Sequence, residues 1–350
     1  MTINSALDWK KNVLKENSKI KDAIRILNFN KNKIVLVEDN KKKLIGTITN
    51  GDIRRNLIKG YTKEDDIIYI TNKNPIFVKL KDKKSKISTL MIKNKITSIP
   101  IINDNKIIKG LYVLSSLRSI RKDDTLIFIM AGGKGRRLLP LTKKTPKPML
   151  KIGGKPMVER IISKASKEGF RNFVFSVNYL SKKIINYFKD GKRWGVKINY
   201  VKEKKPLGTI GSLALLDNSN HKNIIVINCD VITRLNLNEL LIFHKIHNQI
   251  ATVSSIIHET KSQFGIIKTR GSRLIEMVEK PIQKNYVNGG IYVFKSSIIQ
   301  HITKNKKKDV NDLFKSLIKK DKKIIVYPLH EPWADIGVIK ELNKVRHKKK

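Results

Sequence analysis

The pattern of hydrophobic and polar residues changes about one third of the way along the chain. Before that point, short apolar segments flank Asp-Asn turns; after it, strand-like apolar segments alternate with amphipathic helical ones. Because strands that alternate with helices favour a mostly parallel sheet, we expect ligands at the carboxyl ends of these strands. In the later part, the pattern predicts strands over 125–131, 172–178, 197–202 and 223–229, and helices over 181–188, 209–216 and 336–342.

The first third contains an internal repeat. Residues 34–47 read IVLVEDNKKKLIGT and residues 99–111 read IPIINDNKIIKGL, which places Gly46 and Gly110 at positions 64 apart. In each copy, the pattern predicts a helix, a strand, an Asp-Asn turn and a second strand. Two copies of this size are expected to pack into one pseudo-symmetric domain.

The length of the chain suggests two domains. At about 100–200 residues per domain, 350 residues fit a pair of domains, and the polar stretch 115–124 is typical of a linker. We predict a first domain over 1–121, with repeats over about 1–65 and 66–121, and a second domain over 122–350.

The composition excludes several classes of protein. A single cysteine rules out a disulfide scaffold and a zinc cage built on cysteines. No apolar run approaches the roughly 18 residues of a membrane-spanning helix, and the N-terminal residues lack the apolar segment of a signal peptide. We therefore expect a cytoplasmic protein with no membrane partner.

The net charge of +45 raises the question of a nucleic-acid partner. Of the 74 basic residues, 60 are lysines spread along the chain, whereas readers of nucleic acid rely on the planar fork of arginine. A nucleic-acid partner is therefore not expected. The abundance of Lys, Ile and Asn, which all have AT-rich codons, favours a compositional origin of the charge, and an electrostatic role that attracts anions stays open.

A glycine-rich segment follows the first strand of the later part. Residues 132–137 read GGKGRR, and glycines directly after a strand let backbone N–H groups approach a phosphate closely. The segment lacks the third glycine of a dinucleotide fingerprint and the Gly-Lys-Ser/Thr of a P-loop. Downstream, Pro146 and Pro148 fix the backbone on either side of Lys147, which predicts a pre-positioned cation.

An aspartate ends the predicted strand 223–229. Asp230 lies where a carboxylate suits a metal ion at the carboxyl edge of a sheet, and the preceding Cys229 is expected to be a small buried side chain rather than a nucleophile. None of the seven histidines has the spacing of metal ligands, and His244 and His247 are expected to be solvated on a polar helix.

Residues 130–157 contain MAGGKGRRLLPLT, TPKPML and GKPM in this order. This series resembles the sugar-1-phosphate nucleotidyltransferases, or nucleotide-sugar pyrophosphorylases, and the resemblance extends over roughly 125–345. It implies a Rossmann-like, GT-A-like α/β fold with a mostly parallel mixed sheet. It also implies transfer of a nucleotidyl group from an NTP to a sugar 1-phosphate with release of pyrophosphate, for precursors of cell-surface glycans.

The resemblance implies a set of site residues. Arg136 stands where the family usually has Thr, which is a departure, and the segment 331–337 resembles the family's second metal-binding stretch. The implied roles are catalysis by Arg137, Lys147, Asp230 and Lys280; NTP binding by Ala131, Gly132, Gly133, Gly135, Arg136, Glu203, Gly208 and Thr209; sugar binding by Glu279, Asn288 and Gly290; and binding of Mg²⁺ by Asp230 and Asp335. The alternatives are an ordinary glycine turn with a Thr209 cap, and a helix cap at Asp335.

The first third resembles a tandem pair of CBS (cystathionine-β-synthase-type) domains, which form a small α+β regulatory unit. The match rests on residues 46–52, GTITNGD, where Thr49 and Asp52 would hold an adenosine ribose. A helix N-cap at Thr49 explains the same residues equally well. Because Val113 and Ser116 replace these residues in the second copy, at most one site is expected to bind an adenine nucleotide.

The base and the sugar are left open by the sequence. Guanylyl, uridylyl, thymidylyl and cytidylyl transfer are all compatible with it, and residues 327–333, YPLHEPW, slightly favour guanylyl transfer. We expect a homo-oligomer. The alternative of another class is a non-catalytic protein that binds nucleotide sugars or nucleic acid on a degenerate transferase fold.

Overall fold

A computed structural model describes residues 3–5, 8–30, 32–94, 96–114, 124–216 and 221–347. The chain divides into two compact units, Met1–Ile120 and Arg121–Lys350. The predicted linker over 115–124 lies outside the described residues except for Asp124. The assignment of the two predicted domains and their roles to these units stays a prediction.

The described residues of the smaller unit form short strands and three α-helices. Its strands form two sheets, in the orders β2-β3-β4 and β1-β7-β6-β5. The strands are β1 Ile3–Ser5, β2 Val13–Lys15, β3 Ile34–Glu38, β4 Leu44–Thr49, β5 Val78–Lys79, β6 Ser98–Ile102 and β7 Ile108–Leu114, and the helices are α1 Ile20–Phe29, α2 Asn50–Ile58 and α3 Lys84–Lys93.

The repeated sequence folds twice into the same arrangement. In the first copy β2 is parallel to β3 and β3 is antiparallel to β4; in the second copy β5 is parallel to β6 and β6 is antiparallel to β7. The two hairpins share a β-bulge at the equivalent place, and Gly46 and Gly110 occupy equivalent positions opposite Val37 and Ile101. The two hairpins also share one buried cluster, so neither copy buries its apolar face alone.

The larger unit contains the remaining elements. Its strands are β8 Thr125–Met130, β9 Lys151–Ile152, β10 Lys155–Pro156, β11 Asn172–Val177, β12 Lys197–Lys202, β13 Asn223–Asn228, β14 Val231–Thr233, β15 Ala251–Lys261, β16 Ile266–Arg270, β17 Arg273–Val278, β18 Ile282–Lys295, β19 Ile324–Leu329 and β20 Trp333–Asp335. Its helices are α4 Met157–Lys167, α5 Ser181–Phe188, α6 Leu237–His247, α7 Val310–Lys319 and α8 Ile339–His347.

A seven-stranded sheet organises the larger unit, in the order β12-β11-β8-β13-β18-β15-β19. The strands β12, β11, β8 and β13 are parallel, whereas β18 is antiparallel to both of its neighbours. The predicted mostly parallel mixed α/β sheet is confirmed. From β8 the chain runs outward to β11 and β12 and then returns to the other side of β8, which creates a crevice at the carboxyl ends of β8 and β13.

The core explains why these segments form strands and helices. On one face of the sheet, Phe128, Val226 and Tyr292 pack against Leu313 and Leu317 of α7, and all of these side chains are buried. The predicted helix over 209–216 is a shorter 3-10 helix over Gly211–Leu215, which contributes Leu213 to the same cluster. Among the described residues, no helix combines the length and the apolar character needed to cross a bilayer.

The side chain of His244 is buried, although the sequence predicted that it is exposed to solvent. Its side chain is 1% exposed, and its Nδ1 lies 2.7 Å from Thr252 Oγ1 because α6 packs against β15. Burial lowers the pKa of His244 from 6.5 to about 4. The expectation that His244 is solvated is therefore wrong, while His247, one turn further on, is exposed.

Candidate active site

The crevice at the carboxyl ends of β8 and β13 contains a cavity of about 440 Å³. Its lining brings together residues from six separate stretches of the chain, as expected of a ligand site at a strand-order switch. Predicted site residues in the lining are Gly132, Gly133, Gly135, Arg136, Arg137, Lys147, Glu203, Gly208, Thr209 and Asp230. A separate cavity of about 550 Å³ between α4 and β14 contains none of the predicted site residues.

The glycine segment forms one wall of the cavity. Gly135 has a φ of +62°, and a Cβ there would lie 2.9 Å from Thr142 Cγ2 and 3.1 Å from Lys147 Cβ. Thr142 Oγ1 donates to the Gly135 carbonyl oxygen at 2.9 Å, which fixes the turn. At Gly133, by contrast, a Cβ would meet nothing within 4 Å, so the backbone there faces open space. The loop therefore offers uncovered backbone to a ligand. The predicted NTP residue Ala131 is fully buried behind it.

Lys147 pairs with Asp230 across the cavity. The lysine belongs to a 3-10 turn that begins after Pro146, and its Nζ donates to Asp230 Oδ2. The side chains are only 11% and 16% exposed, so both charges are largely removed from water. A buried charge needs such a partner, because an unpaired one is strongly destabilising. The rigid Pro-Lys-Pro segment therefore places its cation beside the carboxylate that ends β13.

Asp335 lies beside Asp230. Strand β14, which follows Asp230, pairs antiparallel with β20, and Ile336 N donates to the Asp230 carbonyl oxygen at 3.0 Å. The pKa of the Asp335 carboxyl is raised, first by burial and then by the neighbouring Asp230 carboxylate, whereas Lys147 and Arg137 act in the opposite direction. Two carboxyl groups that repel each other in a half-buried place are favourable to a bound cation.

The Asp335 carboxyl group has one buried oxygen, Oδ1, that has no hydrogen-bond partner among the described residues. Buried polar atoms nearly always have such a partner. Arg137 and Asp335 both adjoin Gly337, since a Cβ on Gly337 would be 3.0 Å from Arg137 Nη2 and 3.2 Å from Asp335 Oδ1. Within the part of the chain that the structure describes, no three His, Cys, Asp or Glu side chains form a metal cluster. Any ion at Asp230 and Asp335 would therefore take further ligands from substrate or water.

Glu203 supports the wall that adjoins the glycine segment. Ser176 Oγ donates to Glu203 Oε1, and Leu207 N donates to Glu203 Oε2 at 2.9 Å. A Cβ on Gly132 would lie 2.9 Å from Glu203 Oε1, so the glycine permits this close contact. The carboxylate thus joins the end of β11, the glycine segment and the loop that starts at Leu207.

The lining includes three residues, Asn228, Pro206 and Asp309, to which the sequence prediction assigned no role. Asn228 ends β13, and its Oδ1 is buried without a hydrogen-bond partner among the described residues. Pro206 precedes the Leu207 loop. Asp309 lies 100 positions beyond Thr209, and no local pattern links them. Only Asn228 had a signal, because it belongs to the Asn-Cys-Asp stretch at the strand end.

Two of the three predicted sugar-binding residues, Asn288 and Gly290, lie beside the cavity rather than in its lining. Gly290 has a φ of +71°, and a Cβ there would be 3.1 Å from Asn228 Nδ2, so Gly290 adjoins the end of β13. The side-chain amide of Asn288 forms hydrogen bonds to neighbouring residues of the same strand. Its Nδ2 donates to Tyr292 Oη at 2.8 Å, and its Oδ1 accepts from Gly290 N at 2.9 Å. This network shapes the backbone next to the cavity.

Glu279 and Lys280 are not brought to the cavity. They lie between β17 and β18, in an arm formed by the hairpin β16–β17 and the outer halves of β15 and β18. Lys280 Nζ is 3.7 Å from Glu279 Oε1, and the two side chains are 56% and 67% exposed. About ten residues of largely extended chain, roughly 30 Å, separate Lys280 from Gly290. Their predicted roles stay predictions.

Cys229 belongs to the lining of the cavity but is largely buried. Burial raises the pKa of its thiol to about 12, so the thiolate needed for nucleophilic attack is disfavoured. The structure therefore agrees with a space-filling side chain.

In the smaller unit, Thr49 and Asp52 form a reciprocal helix cap. Thr49 N donates to Asp52 Oδ2 at 2.8 Å, and Asp52 N donates to Thr49 Oγ1 at 3.4 Å, at the start of α2. Arg55 Nη2 donates to Asp52 Oδ1 at 2.5 Å. Both carboxylate oxygens are therefore engaged, as in the cap interpretation, and a ribose contact stays a prediction.

Comparison with protein families fits this geometry. The family model for nucleotidyl transferases matches residues 127–350, and the model for the CBS domain matches residues 10–59. The chain belongs to the nucleotidyl transferase family. The resemblance predicted for the later part is confirmed at this level, and that to a CBS domain is confirmed for the first copy of the repeat.

Individual relatives match the same part of the chain. A mannose-1-phosphate guanyltransferase from Schizosaccharomyces pombe is 32% identical over 222 residues, and one from Pichia angusta is 35% identical over 222 residues; each match covers 61% of this chain and 61% of the relative. The chain thus spans less than two thirds of the length of these curated relatives.

The fold is shared with solved structures. One from Bacillus anthracis, provisionally described as a glucose-1-phosphate thymidylyltransferase, is 21% identical with a TM-score of 0.52, covering 63% of this chain and 94% of that one. HddC from Yersinia pseudotuberculosis is 23% identical with a TM-score of 0.50, covering 64% and 99%. These likenesses concern the fold alone.

Proposed function

We propose that the larger unit transfers a nucleotidyl group from an NTP to a sugar 1-phosphate and releases pyrophosphate. The observation that supports this most is the shared cavity, where the glycine loop, Arg137 and the Lys147–Asp230 pair meet beside Asp335. Because the similar proteins from two yeasts are named mannose-1-phosphate guanyltransferases, GTP and mannose 1-phosphate are the first substrates to test.

The reaction needs alignment and neutralisation of charge more than proton transfer. A phosphate oxygen of the sugar 1-phosphate attacks the α-phosphorus of the NTP in line, the bond to the bridging oxygen breaks, and pyrophosphate leaves with that electron pair. The attacking monoester is largely dianionic at pH 7, because its second pKa is near 6. No general base or covalent nucleophile is required, and catalysis rests on positioning and electrostatic stabilisation.

The chain's own residues have separate tasks in this scheme. Backbone N–H groups of the loop around Gly133 and the guanidinium of Arg137 bind the β- and γ-phosphates and stabilise the leaving pyrophosphate. Lys147 neutralises charge near the attacked phosphorus. The wall formed by Glu203, Gly208 and Thr209 binds the base and ribose, while Asn288 and Gly290 border the sugar.

Mg²⁺ fits the pair Asp230 and Asp335. Two adjacent carboxylates, one of them with an unpartnered oxygen, are hard ligands of the kind that Mg²⁺ takes together with phosphate oxygens. When bound, the ion would neutralise the reacting phosphates. We further propose that Glu279 binds hydroxyl groups of the sugar and that Lys280 binds its phosphate.

The smaller unit is proposed to be regulatory. Its adenine-nucleotide site, if occupied, would lie at Thr49 and Asp52, and a bound nucleotide must then replace part of the cap at the start of α2. A homo-oligomeric state and a cytoplasmic location also stay predictions.

The test is a panel of the four NTPs against several sugar 1-phosphates, scored by release of pyrophosphate. We expect one pair, led by GTP and mannose 1-phosphate, to react only when both substrates and Mg²⁺ are present. Asp230→Asn should abolish this turnover while circular dichroism shows an intact fold. Binding of an NTP or nucleotide sugar without any pyrophosphate release would instead favour a non-catalytic binding protein.

A further inference from the structure

Asp309 occupies an unusual place for a residue that precedes a helix. It comes directly before α7, where an aspartate commonly accepts hydrogen bonds from the first turn of its own helix. Here the side chain makes no such capping bond. Instead, it turns away from the helix and lines the cavity together with Gly208 and Thr209.

The carboxylate binds the loop on the far side of the cavity wall. Asp309 Oδ1 accepts from Thr209 N at 2.9 Å and from Thr209 Oγ1 at 3.1 Å. A carboxylate that accepts from one residue through two donors fixes both its backbone and its side chain. Thr209 is thus oriented by a group 100 positions away in the sequence.

Backbone contacts reinforce the same junction. Ile210 N donates to the Lys308 carbonyl oxygen at 3.1 Å, and Lys308 N donates to the Leu207 carbonyl oxygen at 2.9 Å. A Cβ on Gly208 would lie only 2.6 Å from Asp309 Oδ1, and its φ is +79°. The loop therefore lies directly against the segment that ends at Asp309, and glycine is needed for that approach.

Two carboxylates hold the loop at its two ends. Glu203 accepts from Leu207 N, and Asp309 accepts from Thr209 N. Lys307 Nζ is 3.9 Å from Asp309 Oδ2, and the Asp309 side chain is 42% exposed. A carboxylate so placed would repel the phosphates of an NTP, which argues against direct contact with them.

We propose that Asp309 is a positioning residue that fixes the loop Leu207–Ile210 in the conformation that receives the base and ribose of the NTP. This inference rests on the proposed function, since it assigns that loop to the NTP. It predicts a selective effect. Loss of the Asp309 side chain weakens binding of the NTP and leaves binding of the sugar 1-phosphate unchanged.

The test compares Asp309→Ala, Asp309→Asn and a control, Asp312→Ala, in the full-length protein. Asp312 lies in the first turn of the same helix α7, is exposed and does not line the cavity. Two readouts are used: KM for each substrate in the pyrophosphate assay, and the Kd of a fluorescent GTP analogue measured without turnover.

We expect Asp309→Ala to raise the KM for GTP and the Kd of the analogue by about tenfold or more, with the KM for the sugar 1-phosphate within about twofold. Asp309→Asn keeps an acceptor oxygen for Thr209, so its KM for GTP and its Kd for the analogue should be only about threefold above the wild-type values. Asp312→Ala should match the wild type. Equal effects on both substrates, or no difference between Asp309→Ala and Asp312→Ala, would overturn the assignment.

Two further results separate this inference from the proposed function. A wild type that binds the GTP analogue but releases no pyrophosphate refutes the transferase and still lets the Kd values decide on Asp309, whereas a wild type that does not bind it refutes both. If Asp309→Ala does not fold, Asp309→Asn, which keeps the size of the side chain and loses its charge, replaces it. Its KM for GTP is expected to rise about threefold, and an unchanged KM would contradict the proposal.

Discussion

The buried pair of Lys147 and Asp230 makes a prediction that separates stability from activity. Their side chains are 11% and 16% exposed, and a second carboxyl group, Asp335, lies beside them. Lys147→Met leaves Asp230 without its cation next to that like charge. Breaking a buried pair by removing one partner destabilises by about 3–5 kcal/mol, whereas replacing both partners is often close to neutral.

We therefore expect Lys147→Met to lower the free energy of unfolding of the larger unit by about 3 kcal/mol at neutral pH, without divalent ions. The double variant Lys147→Met with Asp230→Asn should recover most of that loss, because no unpaired charge remains. Turnover should not recover, since a preorganised charge in the site contributes about 10²–10³ in rate.

The assay is urea unfolding followed by tryptophan fluorescence, in a Trp9→Phe background so that the signal comes from the larger unit only. Lys268→Met is the matched control, because Lys268 pairs with Glu276 at 2.7 Å but the two side chains are 66% and 48% exposed. That exposed pair should contribute no more than about 1 kcal/mol. Equal losses in Lys147→Met and Lys268→Met, or additive losses in the double variant, would refute the reasoning.

Because burial lowers the pKa of His244 to about 4, the unfolded chain binds a proton that the folded chain does not between about pH 6.5 and 4. Stability should therefore fall by about 3 kcal/mol as pH decreases through that window, and urea midpoints should show that His244→Gln removes this slope; an unchanged slope would contradict it. Gly135→Ala, with its φ of +62° and its contact to Lys147, should lower the unfolding midpoint and turnover together, and a wild-type melting curve would argue against the strained turn. Calorimetry should show AMP binding that is lost in Asp52→Asn, and no heat in the wild type would leave Asp52 as a helix cap alone.

The sequence predicts those parts of the site whose residues belong to a short motif of neighbouring positions. Glycines after a buried strand, a lysine between two prolines and an aspartate at a strand end each indicate their chemistry within a few residues, and Gly133, Lys147 and Asp230 all line the cavity. Strand alternation likewise predicts the parallel part of the sheet, because periodicity is a local property.

The missed features depend on tertiary contacts. Asp309 is a cavity residue only because a loop 100 positions earlier packs against it. His244 is buried because α6 turns that face toward Thr252, although the helix carries many polar residues. The long extension of β15 and β18 places Lys280 on an exposed arm, which no motif of three residues can indicate.

The most direct test of the central claim is the Mg²⁺-dependent release of pyrophosphate by Asp335→Asn, measured beside its unfolding midpoint. The raised pKa of Asp335 means that its ionised form is disfavoured in the folded protein, so removing that charge should keep or raise the midpoint at neutral pH. The account predicts that Asp335→Asn has an unchanged or higher unfolding midpoint and that its turnover falls by about 10²–10³. Turnover equal to that of the wild type would contradict the claim that Asp230 and Asp335 act together.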